Sequence, residues 1–149
     1  MFDQKTLRLY NAIIKKHSRY PANNAKINHI THRAVAINKF CGDEVHLNIN
    51  YDNKNFLINE IQLIAEGCSI NIASASIVSN LILGLNSEKI LYIHQIYNKM
   101  LDNQKLDPKE HIVLGDLIYF RPLSNIKIRK KCSQLIWNSI SNIQPIKPI

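Results

Sequence analysis

The chain has 149 residues and a mass of 17.2 kDa, a length that fits one domain, since domains most often run to roughly 100–150 residues. Its 46% apolar content supports a core and excludes wholesale disorder. A net charge of +8 fits an acidic partner surface, nucleic acid, or simply a soluble cationic protein.

The sequence also excludes several chemistries. Three cysteines, an odd number without CxxC spacing, suit neither a disulfide-stapled mini-domain nor a redox pair. Gly42, Gly67, Gly84 and Gly115 form no Walker loop or dinucleotide fingerprint, and no GxSxG or HExxH is present. The stretch Ile77–Leu85 is broken by Ser79, Asn80 and Gly84 and is too short for a bilayer, which takes about 20 residues. Met1-Phe2-Asp3-Gln4-Lys5 has no apolar h-region, which predicts no membrane association and a cytoplasmic protein whose thiols stay reduced.

In chain order, Leu7, Tyr10, Ile13 and Ile14 predict an amphipathic helix from about Gln4 to Lys16, ended by Pro21 and Asn23-Asn24. A short strand is expected over Arg33–Phe40. Val45, Leu47, Ile49 and Tyr51 alternate with His46, Asn48 and Asn50, the period of a half-buried strand. Asp52-Asn53-Lys54-Asn55 is a turn into a return strand, Phe56–Ala65. Past Gly67 the period becomes helical from Ser69, with Ile70, Ala73, Ile77 and Leu81 on one stripe and Gly84 as the stop. Ser87 is placed to cap a third helix with Ile90, Ile93, Tyr97 and Leu101 inside. Asp107-Pro108 opens a short segment, and Leu114-Gly115-Asp116 marks a turn. A last helix runs from roughly Lys127 to Asn142, with Pro145 and Pro148 beyond it. The expected architecture is a single α+β domain over residues 1–149, a three-stranded antiparallel sheet with helices packed on one face, and residues 142–149 as a loose tail.

Each cysteine sits at a boundary. Cys41 follows the first strand, Cys68 precedes the second helix, and Cys132 follows Arg129-Lys130-Lys131. In an antiparallel meander Cys41, Asp43 and Cys68 can meet at one end of the sheet, and docking of the last helix would add Cys132. Three thiolates and a carboxylate suit tetrahedral Zn²⁺, with sulfurs about 3.8 Å apart, and two helix starts would favour the thiolates. The alternative is that these are free cysteines buried as small hydrophobes.

The segments Cys41-Gly42-Asp43, Glu66-Gly67-Cys68-Ser69-Ile70 with Ala73-Ser74-Ala75-Ser76, Leu114-Gly115-Asp116 and Arg129-Lys130-Lys131-Cys132-Ser133 closely resemble the SufU branch of the IscU/NifU-type iron–sulfur assembly family. His17 and Pro21-Ala22-Asn23 extend the likeness over nearly the whole chain. The resemblance implies zinc held by Cys41, Asp43, Cys68 and Cys132, with Fe²⁺ or a transient iron–sulfur cluster as the alternative. It also implies sulfur transfer from a PLP-dependent, SufS-like cysteine desulfurase toward downstream assembly proteins. Cys41 is the expected sulfur acceptor, displaced from zinc by a partner group, and Arg129 the residue that orients the sulfur anion. Lys131, where the scaffold branch typically has His, and the long Leu114–Ser124 stretch favour the SufU branch over a cluster scaffold. Ala22, in place of the family's basic residue, and the poorly matched Tyr119–Ile128 depart from the pattern.

The remaining polar residues have plainer readings. Arg129-Lys130-Lys131 lacks interleaved aromatics, which makes RNA binding a remote alternative; lowering the Cys132 pKa or meeting an acidic partner surface is the preferred role. His29 and His32 lack a third ligand nearby, His17 suits the helix C-terminal dipole, and His46 faces solvent. Ser69, Ser74, Ser76 and Ser79 lack a base and read as packing residues.

Overall fold

The computed structural model describes residues 4–146. Helix α1 (Gln4–Arg19) is followed by strands β1 (His32–Asn38), β2 (Asp43–Asp52) and β3 (Leu57–Glu66). Helices α2 (Ser69–Ile82), α3 (Ser87–Leu101) and α4 (Pro108–Leu114) come next, then a 3-10 segment (Gly115–Asn125), helix α5 (Lys127–Ser141) and a two-residue strand β4 (Gln144–Pro145).

The alternation in β2 becomes a two-sided sheet. Val45, Leu47 and Ile49 are buried against the helices, while His46, Asn48 and Asn50 are half-buried on the other face. Helix α2 is packed between the sheet, α1 and α5, and its small residues Ala73, Ser74, Ala75, Ser76 and Ser79 are all buried. Short side chains on every side let three neighbours approach one helix. The amphipathic α5 lays Cys132, Leu135, Ile136 and Trp137 on the core side, against β1 and β2.

The α+β architecture with helices on one face is as expected, but the sheet has four antiparallel strands, in the order β3-β2-β1-β4, rather than three. The fourth arises from the segment expected to be a loose tail. Gln144 and Pro145 pair with Arg33 and His32, and the Ile146 N–H donates to the Thr31 carbonyl at 2.8 Å. Pro145 cannot extend a helix but is tolerated on an edge strand, where its missing N–H faces away from the ladder. Residues 147–149 of the expected tail, and Met1 to Asp3, lie outside the described residues.

Smaller differences have local causes. Helix α1 extends to Arg19, and β1 ends at Asn38, which leaves Lys39 and Phe40 in the turn. Asn86, not Ser87, caps α3, its side chain accepting from the Lys89 N–H at 2.9 Å. The expected turn at Leu114-Gly115-Asp116 opens the 3-10 segment, which buries Leu117, Phe120 and Leu123. No helix of the described residues is long and apolar enough to cross a membrane.

Candidate metal centre

Asp43 opens β2 opposite Asn38 and is fully buried. Its Oδ1 accepts from the Cys68 backbone N–H at 2.8 Å, and its Oδ2 lies 3.6 Å from the Cys68 thiol, which donates to it. Cys68 in turn caps α2, its sulfur accepting from the Asn71 N–H at 3.4 Å. Ligand atoms of Cys41, Asp43 and Cys132 fall within 4.8 Å of one another. Cys132 also faces Cys68. The structure thus brings all four sequence-predicted residues together, from the β1–β2 turn, the start of β2, the N-terminus of α2 and the second turn of α5. Cys41 is exposed, Cys68 half-buried and Cys132 buried.

Gly67 makes this approach possible. Its φ of +111° suits glycine, and a Cβ there would stand 2.8 Å from the Asp43 Cα and collide with that side chain. Asn71, fully buried, donates through Nδ2 to the Glu66 carbonyl at 2.9 Å and the Glu44 carbonyl at 3.2 Å, and so ties the ends of β2 and β3 that carry the cluster.

The donor set fits a cation. A carboxylate with no exposure is costly unless paired, and no ion pair reaches Asp43 among the described residues. Its neighbours are thiols, which as thiolates are soft ligands of the kind that select Zn²⁺ or iron–sulfur chemistry.

Cys132 sits near the start of α5, as expected, but its acidity does not follow expectation: burial together with the neighbouring Asp43 and Cys68 pushes its thiol well above the usual range. Burial and these two acceptors outweigh Lys130 and Lys131. Lys130 is 3.3 Å from Asp102, and Lys131 is exposed. Arg129 is exposed, and no hydrogen bond joins it to the four residues among those described. Its charge is felt at Tyr10, whose phenol is pushed up first by burial, then drawn down by Arg129 and raised again by Cys68.

Tyr10, Asn71 and Gly67 therefore shape the site beyond the four residues named from the sequence. Tyr10 was legible only as one aromatic on an apolar stripe, and it meets Phe120 edge-on with centroids 6.2 Å apart. His17 is buried, with Nδ1 2.8 Å from the Ser76 hydroxyl, which also accepts from the Ala22 N–H at 2.8 Å. It ties α1 to α2 instead of facing the helix end. His46 lies 3.3 Å from Glu44 on the outer sheet face. The Cys41, Asp43 and Cys132 group contains none of the six histidines.

An α+β domain with three thiols and a buried carboxylate converging at one sheet end has the donor atoms that a metal site requires. The chain belongs to the family of the NifU-like N terminal domain, whose match spans residues 9–133. It is 28% identical over 137 residues to a protein of Streptococcus pyogenes serotype M1 named iron–sulfur cluster assembly scaffold protein IscU, covering 91% of this chain and 82% of that one. It is 29% identical over 135 residues to the zinc-dependent sulfurtransferase SufU of Bacillus subtilis (strain 168), covering 89% and 86%. The fold is similar to a crystal structure from Fervidobacterium islandicum AW-1 described as an iron–sulfur cluster assembly scaffold protein for the SUF system. The TM-score is 0.79 at 26% identity, over 91% of this chain and 96% of that one.

Proposed function

We propose that this protein works in iron–sulfur cluster assembly as a zinc-dependent sulfurtransferase that accepts sulfur from a PLP-dependent cysteine desulfurase on Cys41. The observation that carries this reading is the asymmetry of the cluster: one exposed thiol, Cys41, beside a buried carboxylate and two more deeply placed thiols. Asp43, Cys68 and Cys132 would hold the ion together with Cys41. A bound zinc ion would supply the positive charge that offsets Asp43 and keeps the thiols deprotonated, reversing the upward push that burial exerts on Cys132.

The chemistry asked of the chain is thiol exchange. The Cys41 thiolate attacks the outer sulfur of the donor's cysteine persulfide, a new S–S bond forms, and the donor's S–S bond breaks. The donor cysteine leaves as a thiolate and takes up a proton. Cys41 then carries the persulfide, and no electron is gained or lost overall. Arg129, exposed near Tyr10, supplies positive charge for the sulfur anion.

The B. subtilis relative's name supports sulfur transfer. The S. pyogenes relative's name supports the alternative, a scaffold that builds an iron–sulfur cluster as cargo on the same three cysteines. Metal content and colour of the purified protein separate them: one zinc and no visible absorption fit the transferase, a brown chromophore the scaffold. Cys41→Ser is expected to lose persulfide acceptance from the desulfurase while keeping the melting temperature of the metal-free protein, since the thiol is exposed. An unchanged acceptance rate overturns the assignment of Cys41.

A further inference from the structure

The free edge of the sheet leads directly to Cys41. Strand β4 covers β1 only at His32 and Arg33. The Thr31 carbonyl faces β4, where it accepts from Ile146. By the two-residue period of a strand, Val35 and Ile37 turn their N–H and C=O groups toward the same side, beyond the end of β4. Among the described residues, no hydrogen bond from another element reaches either backbone on that side.

Beside this open edge runs a groove of about 460 Å³, walled by Ile37 to Phe40 on one side and by Lys131, Gln134, Leu135 and Asn138 of α5 on the other. Its chemistry is of three kinds. Ile37, Phe40 and Leu135 are apolar, and Phe40, immediately before Cys41, is fully exposed at 103%. Asn38, Gln134 and Asn138 offer amides. Lys39 and Lys131 are the charged groups, with no acid in the lining.

We propose that this edge is a docking site at which a partner protein adds an extended segment, carrying apolar and acidic side chains, as a further strand on β1 in line with β4. The partner is the sulfur donor, an identification that rests on the sulfur-transfer reading above. The unpaired Val35 and Ile37 backbone supplies the ladder, Phe40 and Leu135 receive the apolar side chains, and Lys39 and Lys131 meet the carboxylates. A second copy of this chain fits poorly, because pairing two such edges brings Lys39 and Arg33 of each against those of the other in a protein of net charge +8. A segment docked here ends beside Cys41, which places the donor's persulfide at its acceptor.

Proline separates this ladder from the rest of the sheet. Ile37→Pro and Val35→Pro each delete an N–H that faces the open edge while leaving the β1–β2 ladder intact. The probe is the cysteine desulfurase of the same cell, titrated into the metal-loaded protein by calorimetry at two salt concentrations. Either proline variant is expected to weaken binding at least tenfold, with zinc content unchanged. Lys39→Glu with Lys131→Glu, which does not touch the backbone, is expected to weaken binding and flatten its salt dependence. Amide exchange at Val35 and Ile37 should slow in the complex.

Undiminished binding in both the proline and the charge-reversal variants, with sulfur transfer intact in the parent, overturns the docking site and spares the sulfur-transfer reading. A parent that neither binds the desulfurase nor takes up sulfur overturns both. A dimer of the parent that dissociates in Ile37→Pro assigns the edge to a second copy and likewise overturns the proposal.

Discussion

Gly67→Ala tests how the cluster is held. Gly67 has φ +111°, a region in which a side chain is strained by about 1–3 kcal/mol, and its Cβ would also stand 2.8 Å from the Asp43 Cα. That neighbour is backbone at the start of β2, which cannot rotate away. Gly42 is the internal control: its φ is +69°, and nothing lies within 4 Å of the added Cβ, so alanine there costs only the left-handed strain of about 1 kcal/mol. The expected loss is therefore about 1 kcal/mol for Gly42→Ala and about 3 kcal/mol or more for Gly67→Ala. At about 2–4 °C per kcal/mol for a chain of this size, melting should fall by about 2–4 °C and about 6–12 °C respectively. Calorimetric melting of the metal-free proteins measures this, and zinc affinity should fall with Gly67→Ala because Asp43 is displaced. If the two alanine variants melt within 1–2 °C of each other (on the order of experimental error at this slope), the close packing of Gly67 on Asp43 does not govern the site.

Asp43→Ala should retain part of the zinc, held by thiols, but lose sulfur transfer, and it leaves the Cys68 N–H without its acceptor at 2.8 Å. That orphaned donor is worth about 1–3 kcal/mol, so melting of the metal-free variant should drop too; full transfer activity would contradict the role given to Asp43. Stability should also depend on acidity through His17 and His94. Burial holds both below the ordinary histidine range, helped for His17 by Lys16 and opposed by Asp116. Above about pH 6.5 the folded and unfolded histidines are both neutral and the contribution is full. As pH falls below that value the unfolded chain binds protons that the folded one refuses, so denaturant midpoints should decline. A midpoint independent of pH between 7 and 5, taken as roughly the span of histidine titration, would show that these imidazoles are not sequestered.

The sequence carried the meander and the helix faces because their periods are local: Val45, Leu47 and Ile49 alternate, and Ile90, Ile93 and Tyr97 recur at helical spacing. The four-residue cluster was legible mainly through the resemblance, which local motifs such as Cys41-Gly42-Asp43 and Gly67-Cys68 support; spacing alone left free, buried cysteines open. Long-range pairing was less legible. Pro145 reads as a breaker, yet an edge position beside His32 admits it, so β4 is visible only once the last helix has returned the chain to the sheet. The surroundings of Cys132 were hidden for a similar reason: flanking lysines in sequence suggested a lowered pKa, whereas α5 turns the sulfur inward and those cations outward. Tyr10 and Asn71 act across 50 residues or more, or through backbone carbonyls, and neither leaves a motif.

Trp137 is the chain's one indole, and it lies about 1.4 helical turns along α5 from Cys132, stacked nearly parallel on the His94 ring with centroids 4.7 Å apart. Its emission therefore comes from a single environment, quenched when that imidazole gains a proton and red-shifted when the interior opens to water. Acid titration of one histidine and global melting can both be followed optically in the unlabelled protein.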